Sequence, residues 1–121
     1  KGGYAFQELL KQNNWLPLGT DFPVEQINPF KTFLAAVARK DAKGFPAEGF
    51  QMENALTREQ TIRGMTIWAA KANRMEKQVG SIEVGKKADF VLLDKDLMKV
   101  PTDSILQIKV LKTYLNGERV F

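Results

Sequence analysis

No cysteine and no histidine occur among these 121 residues. Without cysteine there is no disulfide, no thiolate metal site and no cysteine nucleophile, although the compartment stays open. Without histidine the commonest ligand of catalytic zinc and the commonest acid/base near neutral pH are both absent. These residues by themselves therefore cannot build an ordinary zinc site, a Ser-His-Asp triad or a Cys-His pair. Carboxylate chemistry, lysine chemistry or no chemistry remains.

Long hydrophobic runs are missing too. None approaches the roughly 18 apolar residues of a membrane span, and no signal-peptide pattern stands at the start, so no membrane partner is expected. The net charge is +4, but the basic residues are scattered, with Arg39-Lys40 and Lys86-Lys87 as their only adjacent pairs. Clustered or aromatic-interleaved cations usually mark a nucleic-acid surface, so none is expected here. What is present is enough for about one domain: 44% of the residues are apolar. The chain starts at Lys1 with no initiator Met, which suggests a piece of something larger.

Periodicity divides the chain into two parts. Tyr4 to Lys11 carries Phe6, Leu9 and Leu10 at helical spacing, and Asn13-Asn14 supplies a natural end. Trp15 to Leu18 is a short apolar segment that predicts a strand, followed by a loop over Gly19 to Gln26. Asn28-Pro29 is a strong helix start, a cap residue before proline at the first helical position, and the helix is expected to run to Lys40. Asp41 to Asn54 reads as a loop. Thr57 to Gln60 is a capping box opening a helix expected to continue to Arg74. Gly64 inside it costs about 1 kcal/mol relative to Ala, which points to close packing against another element. From Val79 onward the pattern turns β-rich. Gly80 to Gly85 is bounded by turns, Asp89 to Asp94 and Ile108 to Leu115 read as strands, and Asn116-Gly117 signals a hairpin into Glu118 to Phe121. Residues 1–78 and 79–121 are thus the expected units, and neither obviously closes a core alone.

The stretch Leu16-Pro17-Leu18-Gly19-Thr20-Asp21-Phe22-Pro23-Val24 organises the first unit. An apolar run stops at Gly19, and Asp21 is the next side chain able to do chemistry. Pro23 fixes its own φ and biases Phe22 toward extended geometry. The carboxylate would thus stand at the C-terminal edge of a strand, where catalytic groups gather in parallel α/β folds. An aspartate in such a turn can equally serve the backbone, by accepting from nearby N–H groups.

Three motifs in order resemble the C-terminal part of the amidohydrolase superfamily. LPLGTDFPV is similar to the family's last barrel strand with its Gly-Ser/Thr-Asp tract. LTREQTIRGMTIWAAKANRMEKQVGSIEVGKKADFVLLD resembles the following helix and the return into a small β-sandwich. KVLKTYLNGERVF resembles the closing hairpin. Gly-Thr-Asp-Phe-Pro-Val followed by Asn-Pro-Phe is most similar to the branch of formamide and amide deformylase-like enzymes, often labelled amidohydrolase family 3.

The resemblance implies an α/β fold: the end of a (β/α)8 barrel over residues 1–78 and strands of the adjoining composite β-sandwich over 79–121. It implies a metal-dependent hydrolase of non-peptide C–N bonds, acting on a small amide-like molecule with a divalent metal, zinc first. Asp21 matches the carboxylate at the end of the eighth strand. There it binds or sits beside the metal, accepts the proton of the attacking metal-bound water and passes it to the leaving group. Thr20 stands where many members carry Ser, and Asp89, Asp94 and the Asn116-Gly117 hairpin are structural. The family's His-x-His pair, bridging Lys or carboxylate and later His ligands belong to earlier strands. The 121 residues alone are therefore expected to be inactive and to hold no metal tightly, and with the barrel edges exposed either homo-oligomerisation or the β-rich half is expected to supply the missing contacts. The alternative is a non-catalytic scaffold or binding module that reuses the same fold.

Overall fold

A computed structural model describes residues 3–121. Four short α-helices come first: α1 (Phe6–Asn13), α2 (Pro29–Ala38), α3 (Arg58–Met65) and α4 (Ile67–Ala72). Three strands follow, β1 (Phe90–Leu93), β2 (Val110–Leu115) and β3 (Glu118–Arg119), joined in one antiparallel sheet of order β1-β2-β3. The chain is thus mixed helix and sheet. Among the described residues no helix is long and apolar enough to cross a membrane.

The helix boundaries follow their local chemistry. The α1 helix closes at Asn14, whose left-handed conformation (φ 61°) lets its N–H donate to the Leu10 carbonyl. At α2, the Asn28 side chain accepts from the Phe30 N–H at 3.0 Å, with Pro29 inside the first turn. That helix stops at Ala38, because Arg39 takes up φ 55° as its cap, two residues short of the expected Lys40. Thr57 and Gln60 form both halves of the capping box that starts α3.

Two expectations change. Trp15–Leu18 forms no strand among the described residues. A strand needs a neighbouring strand to bond to, and here the extended segment finds a helix instead: the Leu18 N–H donates to the Gly64 carbonyl at 2.9 Å. The helix expected to run unbroken to Arg74 also divides. Thr66 leaves helical geometry (φ −126°, ψ −95°), and its hydroxyl donates back to the Ile62 carbonyl at 2.6 Å. Such back-bonding lets a threonine compete with the helix ladder.

Gly64 packs as its sequence position suggests. A Cβ there would lie 2.8 Å from Leu18 Cδ1 and 2.9 Å from the Leu16 carbonyl oxygen, so only glycine lets the extended segment lie against α3. The second cluster of the core forms around this contact, with Leu10, Ala36 and Leu56 buried and Phe6, Leu16, Leu18 and Trp68 packed on them. The first cluster joins the two parts of the sequence. Phe33, Leu34 and Ala38 of α2 bury Ile105, which lies on a 3₁₀ turn over Thr102–Gln107. Phe33 and Ile105 are entirely enclosed. Arg58, in the first turn of α3, holds the approach to that turn by donating to the Leu97 and Val100 carbonyls.

In the sheet, Phe90 faces Tyr114 with their rings stacked 4.6 Å apart. Asn116 and Gly117 both take positive φ (52° and 84°), as the favoured two-residue hairpin turn requires. Asp89 and Asp94 pin the two ends of the β1–β2 pair: Asp89 accepts from the Asn116 N–H at 2.7 Å, Asp94 from the Lys109 N–H at 2.8 Å. Both carboxylates are structural, as expected.

Candidate functional site

Asp21 stands just beyond the extended Trp15–Leu18 segment, in a turn built by its neighbours. The Phe22 N–H donates to the Thr20 hydroxyl at 3.3 Å, and the Val24 N–H donates to the Asp21 carbonyl at 2.8 Å. Asp21 itself adopts φ 54°, a left-handed conformation that aspartate tolerates better than most side chains. Its side chain is exposed. Among the described residues no hydrogen bond or ion pair engages its carboxylate. An aspartate serving only its own turn would be expected to accept from backbone N–H groups, as Asp41 does. In this turn Thr20 accepts that bond instead, and the Asp21 carboxylate is left available.

Asp41 is the useful contrast. Its Oδ1 accepts from the Lys43 N–H at 2.7 Å and from the Phe45 N–H at 2.9 Å. The Phe45 amide above all, then that of Lys43, holds its carboxyl below the ordinary value of 3.8. This carboxylate is committed to shaping the loop.

A cavity of about 540 Å³ opens beside the Asp21 turn and reaches Gly19 and Thr20 on one side and α2 on the other. Arg39 forms part of its wall although only 7% of that residue is exposed. Its Nε donates to the Phe50 carbonyl at 2.8 Å and its Nη2 to the Tyr4 carbonyl at 3.0 Å. The guanidinium also lies 4.9 Å from the Phe6 ring centre and 5.6 Å from that of Phe50. Burial lowers its pKa, and nearby Glu53 acts in the opposite direction. No salt bridge to Arg39 forms among the described residues. Sequence reasoning did not single out Arg39. Its partners Tyr4 and Phe50 lie 35 and 11 residues away, and no local spacing announces them.

Metal ligands are a separate matter. Among the described residues, no three of the side chains Asp, Glu, His or Cys come together where they could hold an ion. Asp21 offers one carboxylate, so the donor set of these residues does not fit a metal centre on its own.

A family model described as "Amidohydrolase family" matches residues 1–121. The N-substituted formamide deformylase of Arthrobacter pascens is 34% identical over 114 residues, covering 94% of this chain and 20% of that protein. Protein LONG AFTER FAR-RED 3 of Arabidopsis thaliana is also 34% identical, over 125 residues, covering all of this chain and 20% of its own length. Among solved structures, an amidohydrolase from Thermotoga maritima MSB8 superposes with a TM-score of 0.69 at 24% identity, covering 98% of this chain and 26% of that one. That superposition speaks for the fold alone. This chain spans about a fifth of the length of the curated relatives it matches. The match runs from Lys1 to Phe121 and carries all three motifs in order, so the chain belongs to the amidohydrolase family.

Proposed function

We propose that these residues form the C-terminal part of a metal-dependent hydrolase that cleaves a non-peptide C–N bond in a small amide-like molecule. In this reading residues 1–78 end a (β/α)8 barrel, with Trp15–Leu18 as its last strand once a neighbouring strand lies beside it. Residues 79–121 supply strands of the adjoining β-sandwich. Asp21 is the proton shuttle. The observation that carries the reading is its exposed, uncommitted carboxylate just past that segment, in a chain 34% identical over 94% of its length to a protein named for deformylation. A second line of support is a Thermodesulfovibrio yellowstonii protein named 5-methylthioadenosine/S-adenosylhomocysteine deaminase, 32% identical over 87 residues.

Hydrolysis of such a bond joins a water oxygen to the carbonyl carbon, breaks C–N and leaves the nitrogen needing a proton. A carboxylate within reach of both can take the water's proton and return it to the leaving nitrogen, an acid–base role typically worth 10²–10⁴ in rate. A divalent metal, zinc by preference, would lower the pKa of that water toward neutrality. Asp21 would sit beside it or bind it, and the other ligands would come from residues outside this chain. The partner in this reading is a small molecule, neither nucleic acid nor a membrane.

Metal content and amidase activity of the longer protein that carries this chain, beside its Asp21→Asn variant, test the proposal. Near-stoichiometric metal with kcat reduced about 10²- to 10⁴-fold in the variant is the expected outcome. An unchanged variant removes Asp21 from the chemistry. A metal-free, inert protein instead favours the second reading, a scaffold that reuses the fold. The Arabidopsis relative is 34% identical to this chain as well, and its name states no reaction. A His-x-His pair upstream in the longer sequence would count for the enzyme, and its absence for the scaffold.

A further inference from the structure

The cavity beside Asp21 carries an excess of cationic side chains. Four cationic side chains line it, Lys31, Arg39, Lys40 and Lys43, against two carboxylates, Glu25 and Asp41. Asp41 is already occupied by the Lys43 and Phe45 amides. Among the cations, Lys31 donates to the neutral side chain of Gln26, and Arg39 donates to two backbone carbonyls. None of the four forms a salt bridge among the described residues. The remaining wall is apolar, with Phe6, Leu18 and Leu34 contributing. A volume of about 540 Å³ suits a small organic molecule, since ligand pockets typically run about 300–1,000 Å³.

We propose that this cavity is a binding subsite for a carboxylate-bearing substrate, its apolar body against Phe6 and Leu34 and its anion toward Arg39 and the lysines. The inference rests on the hydrolase reading for the position of the scissile bond, which would lie toward Thr20 and Asp21. The preference for an anion rests only on the cavity. Arg39 is suited to the task because its guanidinium is already desolvated and held from two sides, so little further ordering accompanies ligand binding. Its place at the C-terminal end of α2 also accounts for a structural role, since a cation there complements the helix carbonyls. Because Arg39 also serves the fold, the test leaves it in place and varies Lys31 and Lys43.

Two probes of nearly equal shape serve, N-benzoylglycine and its methyl ester, titrated calorimetrically into the longer protein carrying Asp21→Asn. Using that variant separates binding from turnover. The expected result is that N-benzoylglycine binds about tenfold more tightly than the ester, as hydrogen bonds to a charged group commonly allow. Replacing Lys31 and Lys43 together by Gln, two changes away from the buried core, should reduce that preference several-fold while leaving ester binding unchanged. Equal affinity for acid and ester, or a preference untouched by the double substitution, overturns the subsite. If the preference holds but the unsubstituted Asp21 protein hydrolyses neither an amide nor a formamide, the subsite stands and the hydrolase reading fails.

Discussion

At the scale of single residues, neighbouring groups decide which aspartates are free to act. Asp89 and Asp94 accept strand-end amides and Asp41 accepts loop amides, whereas the Thr20 hydroxyl takes the corresponding bond in the Asp21 turn. Asp41 gives a pH test. Its folded pKa lies below 3.8, so what it adds to loop order is present above that value and is lost as pH falls through the lowered one. The amide resonances of Phe45 and Lys43 should titrate together with a midpoint under 3.8, and the titration should vanish in Asp41→Asn. A midpoint at or above 3.8 would remove the bonds as its cause. Gly64 gives a packing test. Gly64→Ala should destabilise the fold by about 1–3 kcal/mol in urea denaturation, because the overpacked contact with Leu16 and Leu18 outweighs the gain in helix propensity. A neutral or stabilised variant would mean that the Leu18 side chain can turn aside.

At the scale of elements, ends were more legible than interiors. Asn28-Pro29, the Thr57–Gln60 box and Asn116-Gly117 each act through bonds or dihedrals made within a few residues, and all three appear where the sequence puts them. Thr57→Ala removes the hydroxyl that accepts from the Gln60 N–H, and should cost about 1 kcal/mol. Thermal melts of that variant against a Thr57→Ser control, which keeps the acceptor, would check it; equal losses in both would exclude the cap as the cause. Interiors depend on what lies across from them. Thr66 breaks a run that periodicity reads as one helix, and Trp15–Leu18 stays extended without becoming a strand. The Trp15–Leu18 outcome is set by a partner distant in sequence, Gly64, which local spacing does not encode, whereas the bond from Thr66 to Ile62 is local but leaves no mark in the apolar period.

At the scale of the whole molecule, the two parts divided by composition near residue 78 are packed together. Ile105 is enclosed by α2, and Arg58 donates to carbonyls at 97 and 100. The sheet is less well covered. Val91, Leu111 and Leu115 are exposed on it, Val120 and Phe121 are exposed just beyond β3, and Ile82 and Val84 stand open in the turn before it. Within this sheet, β1 and β3 each pair only with β2, so each keeps one free edge. Exposed apolar faces and free edges favour association. The 121-residue chain should therefore show a concentration-dependent mass above the monomer by light scattering, and should retain no zinc after dialysis. A strict monomer across concentrations would mean that these faces are protected by other means.

The amino-acid order alone determined the helix starts at Asn28 and Thr57, the hairpin turn and the family, and it nominated Asp21. Each of these rests on interactions within a few residues or on a motif that survives as a string. Only the tertiary structure decided that the Asp21 carboxylate is uncommitted while Asp41 is not. It alone brought Arg39 between Tyr4 and Phe50 at the edge of a cationic cavity, and it alone closed one core across the two parts of the chain. Those features join groups up to several dozen residues apart, and a chain reveals such neighbours only after it has folded.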